Sequence, residues 1–349
     1  MTKKSRRLVL HIGPHKTASS YIQVNLHQAR DVLTKQGWLY PGEGTEGLGA
    51  HHYLAHNAEE YLPGPSQYRS ALEKLGEAAR ARGDNVVLSA EGFCRWTPAN
   101  FDKLADILGF GGYELVYVVR DQLDLFPSLW AEEVKQGRSL GFADRFAREF
   151  ADPMNSRIFN PMRDLNPLLA RERTRVHAVL YDSLKRRGID IFEHLTGAIL
   201  ELNGFSAQHV KPVNVKYPIE LTEFLRLMTL IHGQGQPNIG SDLRLRFTER
   251  VSMEEQRELR KLVQENAAHA RRVITVPGDS IFRTRIEQNL KARLKDNWST
   301  EVGEDEALFS SESRKFVYYD AYLLSMTDPV HQAAEAMVRR LTNVEGLVR

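Results

Sequence analysis

The residues best equipped for chemistry begin with Gly13-Pro14-His15-Lys16-Thr17-Ala18-Ser19-Ser20. They follow the apolar run Leu8-Val9-Leu10-His11-Ile12 and precede a helical pattern at Ile22, Leu26, Ala29 and Leu33, so the stretch reads as strand, turn, helix. The first-turn N–H groups of a helix lack intrahelical partners and the helix dipole favours negative charge there, so such an end suits a phosphate. Lys16 adds a point charge, and the hydroxyls of Thr17, Ser19 and Ser20 can donate to the same oxygens. A Walker A loop is not present, because Gly-x-x-x-x-Gly-Lys is required and only Pro14 and His15 separate Gly13 from Lys16. An ordinary ATP-binding loop is therefore disfavoured.

A second anion-binding candidate ends the most strongly β-forming run, Leu115-Val116-Tyr117-Val118-Val119, where Arg120-Asp121 precede a helix carrying Leu125, Leu129 and Trp130. A guanidinium suits bidentate phosphate binding, and Ser128, about two helical turns on, can reach the same anion. Alone, an arginine in this place equally reads as the partner of Asp121 or Asp124. Candidate bases lie elsewhere. His51, His52 and His56 follow a Gly-rich loop, Gly42 to Gly49, and the i, i+4 spacing of His52 and His56 lacks the glutamate of a His-Glu-x-x-His metal site. They read as surface or capping histidines, or as a general base near a bound nucleotide. Glu91 lies just past a strand expected over 86–89, at the edge where open α/β sheets bind ligands. It is the alternative base, or a carboxylate that caps the next loop or pairs with a basic neighbour.

Together these residues resemble the sulfotransferases that use 3′-phosphoadenosine 5′-phosphosulfate (PAPS). Their 5′-phosphosulfate loop usually reads Lys-x-Gly-Ser/Thr-Ser/Thr after a first strand, places filled here by Lys16, Thr17, Ala18, Ser19 and Ser20. Ala18 stands where glycine is usual, so ordinary helical dihedrals are expected there and a left-handed backbone would count against the match. The family's 3′-phosphate site, an arginine ending a strand with a serine eight residues later, matches Arg120 and Ser128, and Tyr181-Asp182 resembles a tyrosine and acidic residue at a later strand edge. The resemblance covers about residues 8–205. It implies sulfuryl transfer from PAPS to a hydroxyl or amine of a small-molecule or carbohydrate acceptor, leaving 3′-phosphoadenosine 5′-phosphate and needing no metal. Gly13, His15, Lys16, Thr17, Ala18, Ser19, Ser20, Arg120, Ser128 and Tyr181 would bind the nucleotide. Lys16 would also stabilise the leaving oxygen, with His52 favoured as base, His51 its near rival and Glu91 the alternative. The competing readings are a P-loop kinase-like phosphotransferase and a non-catalytic nucleotide- or partner-binding module.

The elements that must position these residues alternate between strand and helix. Helices are expected over 68–82 and from Thr97-Pro98 through Phe101, Leu104 and Leu108. A strand at 175–180 and a helix face through Ile189, Phe192, Leu195, Ile199 and Leu202 follow, closing at Asn203-Gly204. This predicts a three-layer α/β/α fold with a mainly parallel sheet, P-loop NTPase-like, over residues 1–205. Residues 206–349 are expected to be a helical extension shaping the acceptor site. It would hold a capping box at Ser252 and Glu255 before a helix to about 272, further helices over 280–295 and 329–341, and basic clusters such as Arg283-Thr284-Arg285 on solvated faces. With 47 Lys and Arg against 45 Asp and Glu, net charge argues for neither nucleic acid nor membrane as a bulk partner. The basic start, Lys3 to Arg7, reads as the lead-in to a strand rather than a signal peptide. The one cysteine, Cys94, excludes an internal disulfide and fits a reducing compartment, so a cytoplasmic location is expected.

Overall fold

A computed structural model describes residues 5–47, 49–207, 217–233, 240–303 and 305–342. The chain divides into two compact units, the first assembled from 1–121, 159–213 and 282–310, the second from 122–158, 214–281 and 311–349. The division is interleaved and does not fall at residue 205.

The first unit is built on five parallel strands, β1 (Leu8–His11), β2 (Trp38–Leu39), β3 (Asn85–Ser89), β4 (Tyr113–Val119) and β5 (Thr174–Leu180), in the order β2-β3-β1-β4-β5. Leu10 of β1 sits opposite Leu88 of β3 and Leu115 of β4. Alternate residues point to opposite faces of a strand. Val9, Val87, Val116 and Val118 join Ile22, Leu26, Phe192 and Leu195 in one apolar cluster, while Leu10, Leu88 and Leu115, of opposite parity, are equally buried. Parallel strands buried on both faces read as continuous apolar runs, and the arrangement is α/β, compatible with three layers. Because β1 lies between β3 and β4, the strand order reverses beside it, and crevices that bind ligands form at the carboxyl ends of strands at such a point. Gly13, Glu91 and Arg120 all follow strands that meet there.

Local signals place the helices well. Ser66 accepts from the Arg69 N–H to open the Gln67–Arg82 helix, Thr97 and Pro98 open Pro98–Leu108, and both capping-box bonds between Ser252 and Glu255 form ahead of Met253–Asn266. Other expectations need correction. The first helix divides at Ala29 into Ser19–Gln28 and Arg30–Lys35. The face through Ile189 to Leu202 becomes a short helix, Ile191–His194, running into a π turn, Leu195–Ile199, and Glu201, with φ 59°, turns left-handed ahead of Gly204, which is left-handed as well at φ 76°.

Residues 206–349 are not wholly helical. In the second unit β6 (Arg271–Val276) pairs antiparallel with β7 (Arg314–Tyr319). The helix expected to reach 272 stops at Asn266 because the following Val273-Ile274-Thr275-Val276 is β-branched throughout. Residues 282–310 belong with the sheet: Ala178 donates to the Asn297 carbonyl at 2.8 Å and accepts from the Ser299 N–H at 2.9 Å, so the free edge of β5 gains partners. Among the described residues no helix is long and apolar enough to cross a membrane.

Candidate functional site

The turn after β1 needs unusual backbone. Gly13 has φ 82°, and a Cβ there would lie 3.1 Å from the Glu91 Cα, so a side chain at this position would be strained in its backbone and would crowd Glu91. The expectation at Ala18 fails: its backbone is left-handed, φ 65° and ψ 20°, and Lys16 is left-handed too at φ 64°. A turn this tight takes positive φ at several places whatever residues fill them, and on this point the loop departs from what the family resemblance implied. The Ser19–Gln28 helix then starts with no side-chain cap and no acidic residue in its first turn, which leaves its amide end electropositive. Two hydroxyls expected to face an anion do not. Thr17 Oγ1 donates to the Pro14 carbonyl at 2.6 Å and Ser19 Oγ to the same oxygen at 3.2 Å. They brace the turn, while His15, Lys16 and Ser20 remain half-buried beside it.

Arg120, just past β4, reaches this turn. Its Nη1 donates to the Lys16 carbonyl at 2.5 Å, its guanidinium lies 5.5 Å from the Tyr181 ring centroid, and its Nε is buried with no hydrogen-bond partner among the described residues. Three residues expected at the nucleotide are thus together. The ion pair with Asp121 is not made, since Asp121 Oδ2 accepts from Arg283 Nη2 at 2.8 Å and from the Ser310 N–H at 3.2 Å. Arg283 is therefore buried and paired rather than on a solvated face. Asp182 accepts from the Asp121 N–H at 2.7 Å. Ser128 lies in the second unit, within Gln122–Lys135, where its hydroxyl donates to the Asp124 carbonyl at 3.2 Å.

The histidines separate into distinct roles. His51 is fully buried, its Nδ1 accepting from the Ser89 N–H at 3.2 Å and its Nε2 directed at the Pro41 carbonyl at 3.1 Å. Burial pushes its pKa down to about 4. With both nitrogens committed to backbone it pins the Gly-rich loop to β3, which removes it as a candidate base. His11 is likewise buried, bonded through Nδ1 to Ser89 Oγ at 2.7 Å and pushed down to about 4 by burial. His52, on the short His52–His56 helix, points Nε2 at Glu91 Oε2 across 3.4 Å and stacks on His56 with ring centroids 5.7 Å apart.

Glu91 is the centre of this cluster, with its side chain 9% exposed. Gln23 Nε2 donates to its Oε2 at 2.9 Å. Burial pushes the Glu91 carboxyl up, but the Gln23 hydrogen bond and the His15 and His52 rings outweigh that and hold it below the ordinary carboxylate range. Burial also lowers the His15 pKa, with Glu91 pulling the other way. Gln23 was not legible as a site residue. Its one sequence signal is that it stands one turn beyond Ser19 on the same helix face.

The arrangement joins two capacities. One is an electropositive turn, made of a helix start, Lys16 and the Arg120 guanidinium, suited to an oxyanion. The other is an ionised carboxylate facing an imidazole, suited to taking a proton. Gly13, lying against Glu91, connects them. No protein-family model, curated protein or solved structure matches this chain, so the reading of the site rests on its own geometry.

Proposed function

We propose that this chain is a sulfotransferase that moves the sulfuryl group of PAPS to a hydroxyl or amine of a small-molecule or carbohydrate acceptor, on a P-loop-like three-layer scaffold. The observation that carries the reading is the contact of both capacities with one turn: Arg120 bonds to the Lys16 carbonyl, and Glu91, paired with His52, lies against Gly13.

The division of labour follows from charge. Lys16 and the amides opening the Ser19–Gln28 helix hold the 5′-phosphate and stabilise the oxygen that departs from sulfur. The Arg120 guanidinium takes the 3′-phosphate, and the part of Ser128 rests on sequence spacing alone. As the acceptor oxygen or nitrogen bonds to sulfur, the sulfur–oxygen bond to the 5′-phosphate breaks and its electron pair stays with the bisphosphate product. The acceptor's proton passes to the Glu91–His52 pair. Positioning and charge stabilisation dominate a transfer of this kind, as in phosphoryl transfer. The lone cysteine fits action in the cytoplasm.

Calorimetric titration of 3′-phosphoadenosine 5′-phosphate tests the reading, with ATP and adenosine 5′-phosphate as controls. Binding should require both phosphates and weaken about tenfold or more in Lys16→Ala and Arg120→Ala, the scale of one lost charged hydrogen bond. Absence of binding, or binding of ATP alone with a magnesium requirement, would return the chain to the kinase-like or non-catalytic alternatives.

A further inference from the structure

On the Ser19–Gln28 helix, Gln23 places its side-chain amide against a candidate catalytic group. It is 2% exposed, and its Nε2 donates to the very oxygen of Glu91, Oε2, that His52 Nε2 faces. A carboxylate free to rotate can present either oxygen in several directions. One that receives a buried amide N–H has its rotamer set and its charge supported. Deeper in the same cluster, His52 Nδ1 is buried without a hydrogen-bond partner among the described residues, so Nε2 is the ring nitrogen through which His52 exchanges a proton with its surroundings. Oε2 and Nε2 therefore form the working contact, and Gln23 holds one side of it.

We propose that Gln23 is a positioning residue that fixes Glu91 as the permanent carboxylate partner of His52, so that Glu91 and His52 act as one proton-accepting unit. The inference rests on the proposed transfer reaction for its catalytic consequence but not for its structural one. In the reaction, the acceptor's O–H or N–H bond breaks as its bond to sulfur forms, and the proton is shared between His52 Nε2 and Glu91 Oε2 until it leaves to water with product. The charged and titratable groups that face Glu91 are His52 from its helix, His15 from the turn, His11 at the end of β1 and Tyr40 beyond β2. Arg95 and Lys16 act on it through His15. None of these supplies the amide donor that Gln23 does.

Two readouts in the full chain separate this inference from the reaction it rests on. The first is the carbon NMR titration of the Glu91 carboxyl in wild type, His52→Gln, Gln23→Met and Gln23→Glu. Methionine is unbranched and of similar length, and Gln23→Glu serves should the apolar replacement fail to fold. The His52 ring helps to hold the Glu91 carboxyl low, so His52→Gln should raise its midpoint. The Gln23 amide acts in the same direction, so Gln23→Met should raise it at least as far. Gln23→Glu should place two carboxyls on one proton and change the shape of the titration. A Glu91 titration that moves in His52→Gln yet is unchanged in both Gln23 variants overturns the role of Gln23, whatever reaction the protein catalyses.

The second readout is turnover with PAPS across hydroxyl and amine acceptors. Gln23→Met should reduce kcat roughly tenfold, leave the KM for PAPS unchanged, and move the acid limb of the kcat profile to higher pH. Equal kcat and an unmoved limb overturn the catalytic part. Should wild type turn over no acceptor, the sulfotransferase reading fails by itself, and the NMR titration still decides the place of Gln23.

Discussion

Arg120 donates from Nη1 to the backbone carbonyl of Lys16 at 2.5 Å, so the residue that ends β4 also fastens the turn that follows β1. An arginine in that place can act on a bound nucleotide in two ways, as a direct phosphate ligand or as a brace for the loop that binds the other phosphate. Two ligands tell them apart. If the guanidinium takes the 3′-phosphate, Arg120→Ala weakens 3′-phosphoadenosine 5′-phosphate about tenfold or more and leaves adenosine 5′-phosphate nearly unchanged. If it only braces the turn, both ligands weaken alike. Arg120→Lys keeps the charge but loses the planar fork and the stacking on Tyr181, so it should recover only part of the binding. The proposed reading requires the selective loss.

The left-handed backbone at Ala18 makes a second prediction. An alanine pays in strain for a conformation that glycine takes freely, so Ala18→Gly should stabilise the chain by about 1 kcal/mol. The gain is limited because the Ala18 methyl packs partly against the apolar cluster below the sheet. Ala18→Val, with a branch at Cβ, should cost about as much or more. Denaturant unfolding of the three proteins checks the order Gly above Ala above Val, and a glycine variant less stable than wild type would show that the strain is not real.

These two positions also show what a sequence makes legible. The turn at Gly13 to Ser20, the helix start at Thr97-Pro98, the capping box at Ser252 and the strands β1, β3, β4 and β5 announce themselves because each depends on groups a few residues apart. The partnerships that define the site do not. Gln23 and Glu91 are 68 residues apart and Asp121 and Arg283 are 162 apart, and nothing near either partner marks the other. His51 misled for the same reason: beside His52 in sequence it looks equivalent, yet the start of a helix turns it into the core, onto Ser89 and Pro41. Strand β6 carries a local signal in the β-branched run Val273 to Val276, but its antiparallel partner β7 begins only at Arg314, beyond an intervening helix, and nothing near β6 marks it.

Stability should fall on mild acidification. Burial holds His11 and His51 at about 4, whereas a histidine in the unfolded chain titrates near 6.5. Between these values the unfolded chain binds protons that the folded chain refuses. Stability from these two groups is therefore complete above about pH 6.5 and is lost as the pH falls through the window toward 4. Linkage puts the loss between pH 7 and 5 at about 2 kcal/mol for each ring. His51→Gln removes one titrating ring while still offering a donor and an acceptor, and should remove about half of the slope. Unfolding free energies measured at pH 7.5, 6 and 5 (chosen to bracket the unfolded-state value of about 6.5) decide it. A flat profile in wild type would mean that neither ring is held neutral.

The Asp121–Arg283 pair ties residues 282–310 to the end of β4, with side chains only 4% and 3% exposed. Both charges have left water, and such pairs contribute little net stability against an apolar replacement of the whole pair, while removal of one partner strands the other. Arg283→Met takes the guanidinium from the buried Asp121 carboxylate while leaving it the Ser310 N–H, and should cost about 3–5 kcal/mol. Adding Asp121→Asn removes the stranded charge while keeping an oxygen for the Ser310 N–H, so the double variant should be more stable than Arg283→Met alone. Denaturant unfolding of both single variants and the double closes the cycle. Strict additivity would mean that the two groups do not act as a pair, whereas recovery in the double variant would show that segment 282–310 is held to the sheet edge by this contact, one residue from the guanidinium that the proposed nucleotide site depends on.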